Sequence, residues 1–344
     1  MKTVQFRQHG LSNMLEVKDI QKPVISKNQV LVKIMSSGLN HLDLWIRGGL
    51  PGLKIPLPHI PGSDGAGTIV EIGSDVNNWK VGDDVIIQPG TFCGECPSCL
   101  AGEEDLCPHY GILGETESGV QQEFVALNSE NLGKKPIDMS WEAAGCLALS
   151  ALTAHHMLMA RAEIKSSDTV LILGGDSGVG IYGIQIAKYY GATVIASGSS
   201  ESKRKFAMEL GADYVINHRE ENFSREIKKL TAGKGVNIVF EHIGQATWLE
   251  SIKSLAWNGR LVTCGSTTGT QGELNLQHLF YKRLSILGST MGSVSDFRTI
   301  IKLAKTGAIK PVIDKVFPFP RASEAHDYLK NEHQFGKVVL MGWD

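Results

Sequence analysis

Four of the chain's six cysteines fall within TFCGECPSCLAGEEDLCP, residues 91–108, as Cys93, Cys96, Cys99 and Cys107. The spacing C-x2-C-x2-C-x7-C sets three close thiolates and one returning thiolate around a single ion, and four soft sulfur ligands favour tetrahedral zinc. Two other chemistries use clustered cysteines. Bacterial ferredoxins end their motif in Cys-Pro, as Cys107-Pro108 does, but with three residues before that cysteine where this chain has seven. Disulfides require an oxidising compartment. A site whose four positions are all protein sulfur has no place for water or substrate, so one structural zinc per chain is expected here, not a catalytic one. Cys146 and Cys264, in AAGCLAL and LVTCG, read as small core residues.

A second stretch with chemical potential is LILGGDSGVGIYGIQIAK, where Gly174, Gly175, Gly178 and Gly180 crowd the point at which a strand turns into a helix. Backbone N–H groups of Ser177, Gly178, Val179 and Gly180, at the positive end of that helix, suit a pyrophosphate. The dinucleotide pattern G-x-G-x-x-G, begun at Gly175, wants glycine where Ser177 stands, so the context has to carry the reading: a strand before, a helix after, and a second strand ending near residue 198. An NAD site places Asp or Glu at the end of that second strand. TVIASGSSESKRK offers Gly198, Ser199 and Ser200 there, with Lys203 and Arg204 just beyond. Small hydroxyls and cations suit a 2'-phosphate, so NADP(H) is the expected cofactor, with Ser199 and Lys203 among its contacts. Glu201 opposes that preference unless it points to solvent. His218, ending the next strand in VINH, is a candidate contact to the adenine or the phosphate.

These residues need a scaffold. From Ser140 the sequence predicts a long apolar helix through SWEAAGCLALSALTAHHMLM, followed by alternating strands and helices. TVLILGG, TVIASG, YVINH, NIVFEH, RLVTCG and LSILGS are the strands. GIYGIQIAKYYGA, SESKRKFAMELGA and NFSREIKKLTAG are the helices, the first two closed by Gly191 and Gly211 as left-handed caps. Buried-looking strands with helical crossovers predict an α/β, doubly wound parallel sheet. Residues 1 to about 135 instead carry short strand-like runs such as VLVKIM, GAGTIVEIG, DDVIIQ and EFVAL, broken by Gly, Pro and Asn, and read as β-rich. The tail adds a helix (FRTIIKLAKTG), a strand (PVIDKVFPF), another helix and the closing strand KVVLMGW. The expected division is 1–150 with the cysteine lobe at 91–108, then 151–291, then a return to the first domain over 292–344.

At 344 residues, 42% hydrophobic and 20% charged, the composition is that of an ordinary globular protein of about two domains. Thirty-four Lys and Arg against 36 Asp and Glu give a formal charge of -2, so no basic surplus argues for nucleic acid or an anionic membrane; a small-molecule substrate is the expected partner. The opening MKTVQFRQHGLSN has no apolar stretch that could serve as a signal, and no run of about 18 uncharged apolar residues occurs, which makes the cytoplasm the expected compartment.

Together, GLNHLDLWIRGG (38–49), PGSDGAGTIVEIG (61–73), the cysteine lobe, the glycine turn and FGKVVL resemble the medium-chain dehydrogenase/reductase superfamily over the whole chain. The resemblance implies a GroES-like catalytic domain, a Rossmann cofactor domain, and a homodimer or homotetramer joined through strands like LSILGS. Zinc alcohol dehydrogenases of that superfamily hold a second, open zinc; its three ligand positions fall here on Asn40, Ser63 and Leu149, and the hydroxyl that relays the alcohol proton falls on Leu42. The G-x-N-x-x-D wording is similar to the quinone oxidoreductase branch, which usually lacks the cysteine lobe, so the chain mixes two branches. The implied reaction is NADPH-dependent hydride transfer to an activated double bond, a quinone or a carbonyl without catalytic zinc, because an unactivated alcohol would need a Lewis acid to hold its alkoxide. Two alternatives stand beside it: a zinc-dependent alcohol dehydrogenase with unorthodox ligands, and a non-catalytic NADPH-binding protein.

The resemblance also nominates residues. Asn40, donating to substrate oxygen or the cofactor ribose, and Asp43, orienting Asn40 or Arg47, are the candidate catalytic pair. His41, His59 and Asp64 could gather around a scavenged zinc. Thr153 is carried over as a neighbour of the nicotinamide, and Ser266 and Ser289, following strand ends, would line the same cleft at the carboxyl edge of the sheet. Lys337 in FGKVVL would reach the cofactor or pair with a carboxylate.

Overall fold

Runs such as TVLI (Thr169–Ile172) and the apolar part of VNIVFE (Val236–Glu241) leave no polar face for water, so both faces of such strands have to be covered. They lie at the centre of a parallel sheet in a computed structural model that describes residues 1–50, 52–220, 222–331 and 334–344. Among those residues the spatial order is Tyr214–Ile216, Thr193–Ser197, Thr169–Ile172, Val236–Glu241, Leu255–Thr263 and Ser285–Gly288, every neighbour parallel. The chain winds outward from Thr169–Ile172 in one direction, returns, and winds outward in the other. That reversal creates the switch point at which open α/β sheets take ligands, outside the carboxyl ends of the strands. Leu171, Ile195, Val239 and Leu261 form its core and are essentially inaccessible to water. Each such side chain contributes about 1.5–3 kcal/mol relative to exposure. Gly191 and Gly211, at φ +84° and +107°, close the helices Gly178–Tyr189 and Glu201–Glu209 as expected. This unit comprises Ser150–Gly292 and Thr306–Lys310.

The other unit comprises Met1–Leu149, Ser293–Lys305 and Pro311–Asp344. Its spine is the strand Gln29–Gly38, which pairs antiparallel with Ala66–Ile72, Phe124–Asn128 and Lys337–Met341. Ile313–Phe317 lies parallel to Lys337–Met341, so the tail strands belong to this sheet and not to the doubly wound one. The pairing has a consequence for chemistry: Leu39 N–H donates to the Val338 carbonyl at 2.8 Å, which delivers residue 337 beside residue 40.

The single helix expected through SWEAAGCLALSALTAHHMLM is instead broken. Trp141–Ala144 is one short turn, Ala148–His156 a second helix, and Met157–Arg161 a π-type continuation. The cause is tertiary. Gly145 accepts a hydrogen bond from Gly38 N–H at 2.6 Å, and a Cβ at Gly145 would stand 2.2 Å from Ser36 Oγ, so the chain leaves the helix to meet the strand. Among the described residues no helix is long and apolar enough to cross a membrane.

Candidate active site

Asn40 precedes the helix His41–Gly48, which starts there because the Asp43 carboxylate, at the third helical position, takes the Asn40 backbone N–H at 2.7 Å. The other Asp43 oxygen takes Gly62 N–H at 2.9 Å, so one side chain ties the loop before this helix to the loop 61–64. Glycine is required at 62: φ is +102°, and a Cβ would lie 2.7 Å from Gln121 Cγ. Burial pushes the Asp43 carboxyl up to about 6, against the two N–H groups and the Lys337 charge, which pull it down. Asp43 therefore positions the Asn40 backbone, and the alternative expectation fails, since Arg47 donates to the Gly10 carbonyl at 3.0 Å.

The Asn40 carboxamide is clamped. Its Nδ2 donates to Asp64 Oδ2 at 3.0 Å and faces the Gly38 carbonyl at 3.5 Å, while its Oδ1 accepts from Lys337 Nζ at 2.5 Å. Lys337 also donates to Asp64 Oδ2 at 3.0 Å, and Asp64 Oδ1 accepts Leu149 N–H at 2.6 Å. The Lys337 and Asp64 side chains are 3% and 0% exposed. The Asn40 amide donor, expected to face a substrate, is thus turned onto Asp64, and the ammonium of Lys337 is the cation of the cluster. The sequence held one signal of this: a lysine opening the apolar strand KVVLM must find a buried anion. His41, His59 and Asp64 do not converge. His59 Nε2 meets the Gly114 carbonyl at 3.0 Å with its ring against Phe6, and the His41 ring lies 6.3 Å from that of Trp45.

Among the described residues the group able to hold a metal is Cys93, Cys96, Cys99 and Cys107, whose sulfurs all lie within 4.8 Å of one another. Cys93 Sγ is 3.6 Å from Cys107 Sγ and 3.9 Å from Cys99 Sγ. Zinc–sulfur bonds of about 2.3 Å in a tetrahedron require sulfurs about 3.8 Å apart, so the four residues fit the ion. Backbone N–H groups of Cys96, Cys99 and His109 point at the sulfurs of Cys93, Cys96 and Cys107 at 3.4, 3.5 and 3.3 Å, as donors to thiolates would. Glu104 fastens this lobe by accepting Val294 N–H at 3.1 Å. Burial pushes the thiols of Cys146 and Cys264 up to about 12, which keeps both unreactive at neutral pH.

In the other unit the glycine turn is stitched to the end of the second strand. Gly174 N–H donates to Ser197 Oγ at 3.0 Å and Gly175 N–H to the Ser197 carbonyl at 2.9 Å. Ser177 caps the helix, its Oγ accepting Gly180 N–H at 3.0 Å, and a Cβ at Gly180 would stand 2.1 Å from the Gly174 carbonyl oxygen. Ser177, Gly178, Val179 and Gly180 thus form a helix N-terminus in which Gly178 and Gly180 carry no Cβ, which fits a pyrophosphate. Ser197, which spacing alone did not single out, also meets His218 Nδ1 at 2.9 Å. Burial lowers the His218 pKa to about 4, so it brings a hydrogen bond to this corner at neutral pH and no charge.

Ser199 is half-buried, Ser200 caps the helix Glu201–Glu209, and Glu201 is exposed to solvent. Lys203 is not free to await a phosphate, because its Nζ lies 2.7 Å from Asp176 Oδ2. Ser266 and Ser289 share a cavity of about 510 Å³ beyond the carboxyl ends of the last three strands, together with Gly244, Cys264 and Thr290. Thr153 is buried with its Oγ1 4.0 Å from Met291 Sδ. Glu241, another residue unforeseen from sequence, is buried and accepts from Ile243 and Gly244 N–H and from the hydroxyls of Thr247 and Ser251; it holds the turn that forms one cavity wall.

Residues 26–137 match the family described as the alcohol dehydrogenase GroES-like domain, and residues 178–306 the one described as zinc-binding dehydrogenase. The chain belongs to the medium-chain dehydrogenase/reductase superfamily. It is an oxidoreductase of an NAD(P)-dependent family, built from a GroES-like and a Rossmann-like domain. A crotonyl-CoA carboxylase/reductase of Cereibacter sphaeroides is 30% identical to it over 98% of this chain and 86% of its own. A quinone oxidoreductase of Homo sapiens is 28% identical over 99% and 98%. The crystal structure of an NAD-dependent alcohol dehydrogenase superposes with a TM-score of 0.96 at 41% identity, covering 99% of each chain. Asn40 and Leu149 are both bonded to Asp64.

Proposed function

We propose that this oxidoreductase reduces a carbon–carbon double bond conjugated to a carbonyl, or a quinone, without a catalytic zinc. The observation that carries the reading is the Asn40–Asp64–Lys337 cluster: none of Asn40, Ser63 and Leu149 is a strong zinc ligand, and a protein cation already compensates Asp64 there. Bound NADPH would supply a hydride for the electron-poor carbon, and with one proton from solvent the product would gain two electrons and two protons as NADPH becomes NADP+. The chain's own residues bind and orient. Gly178 and Val179 would offer the helix end to the pyrophosphate, and Ser199 and Lys203, the latter drawn away from Asp176, would receive the 2'-phosphate of NADPH. Asp43 and the Asp64–Lys337 pair hold the Asn40 segment in one geometry. Reduction of activated double bonds is in keeping with the relatives named crotonyl-CoA carboxylase/reductase and quinone oxidoreductase.

The test is NADPH oxidation at 340 nm with enones, enoyl thioesters and quinones, set beside alcohol oxidation with NADP+, on protein whose zinc has been counted. One zinc per chain with reductase turnover supports the proposal. Alcohol turnover that appears with a second zinc and vanishes with a chelator would replace it by the alcohol dehydrogenase reading, which the 41% identical structure favours. We further propose a homodimer or homotetramer: Trp257, Leu276, Phe280 and Tyr281 are 59–69% exposed, and Ser285–Gly288 is an edge strand of the same unit. Light scattering on Phe280→Glu should show a smaller species than wild type.

A further inference from the structure

No acid stands at the end of the strand Thr193–Ser197, yet the fold brings one to that corner from the opposite side. Gly175 N–H is bonded to the Ser197 carbonyl, so the glycine turn and the strand end touch. The next residue, Asp176, reaches the first turn of Glu201–Glu209 and pairs with Lys203 at 2.7 Å. The two side chains are 11% and 16% exposed, which shields the pair from the screening that weakens surface ion pairs. His218 and His242 also face the Asp176 charge, and burial disfavours the protonated form of both, so they do not offset it at neutral pH.

We propose that Asp176 is a positioning residue for cofactor choice: by holding Lys203 it handicaps the 2'-phosphorylated cofactor and leaves the 2'-hydroxyl form an acceptor. The inference rests on the reading that Lys203 receives the 2'-phosphate. A phosphate bringing a charge of about -1.5 to -2 has to share Lys203 with a carboxylate that repels it. A ribose hydroxyl, in contrast, donates to that carboxylate. Asp176→Asn keeps the shape of the turn and removes the charge.

Direct binding to the full chain separates the possibilities, using calorimetric titration with 2',5'-ADP and with 5'-AMP. Asp176→Asn should raise the affinity ratio in favour of 2',5'-ADP roughly tenfold or more, the scale of one charge-assisted hydrogen bond. The gain should disappear in a Lys203→Ala background. A merely structural loss would weaken both ligands together and leave the ratio where it was, which overturns the inference. So does a gain that persists without Lys203. If Lys203→Ala lowers the ratio while Asp176→Asn does not move it, the inference falls and the phosphate reading stands. If Lys203→Ala leaves the ratio unchanged, the phosphate reading falls and takes the inference with it.

Discussion

Lys337→Met is the most informative perturbation of the catalytic unit, because it deletes a charge while keeping the length of the side chain. Wild type buries an ammonium and a carboxylate at 3.0 Å with side chains 3% and 0% exposed. After the substitution Asp64 keeps Leu149 N–H and Asn40 Nδ2 but no counter-charge among the described residues, and Asn40 Oδ1 loses the Lys337 ammonium. Breaking one side of such a pair costs about 3–5 kcal/mol, whereas an exposed pair costs at most about 1 kcal/mol. Removing both charges, in Lys337→Met with Asp64→Asn, should cost less than the sum of the single changes by about 1–3 kcal/mol, the coupling of groups in one network. Equilibrium urea unfolding of the zinc-loaded protein near pH 7.5, followed by tryptophan fluorescence, reads these differences. A single variant within about 1 kcal/mol of wild type, or strict additivity in the double variant, would show that Lys337 and Asp64 do not hold each other in solution as they do here.

Three further outcomes are expected. Asp43 has a folded pKa of about 6 against an ordinary value of 3.8, so its contribution to stability is fully present below pH 3.8 and lost as pH rises through 6. The stability of wild type minus that of Asp43→Asn should therefore shrink between pH 4 and 7, and a difference that grows with pH would contradict the burial argument. His326 runs the other way: it is fully buried, neither ring nitrogen has a hydrogen-bond partner among the described residues, and burial followed by the Arg47 charge lowers its pKa from 6.5 to about 3. Its contribution is present above pH 6.5 and lost as pH falls toward 3, about 2 kcal/mol by pH 5, so His326→Leu should show a flatter acid limb in urea midpoints measured from pH 7.5 to 5. Native mass spectrometry should find one zinc per chain in wild type and none in Cys93→Ser, whose melting temperature should fall while NADPH affinity, read by nicotinamide fluorescence, stays near wild type.

Much of this molecule is legible along the chain because the signals are local. Apolar runs such as TVLI, closed by glycines at Gly191 and Gly211 that the backbone holds at positive φ, carry their own secondary structure, and four cysteines within fifteen positions carry their own geometry. Where a local signal met a distant partner, it failed. The helical pattern from Ser140 breaks at Gly145 because the strand at Gly38 takes its carbonyl, and Asn40, a promising donor by motif, turns its amide onto Asp64.

The sequence by itself determined the strands and helices of the doubly wound sheet, the cysteine cluster and the glycine turn into a helix, since each carries its signal within a short stretch of chain. Only the tertiary structure decided the charges of the site: Lys337 meets Asn40 and Asp64 across 297 and 273 residues, and Asp176 meets Lys203 across the end of a strand. An ionised side chain deprived of water takes its energy from whatever counter-charge folding sets within about 3 Å, and that distance is fixed by sheet pairing and not by spacing along the chain.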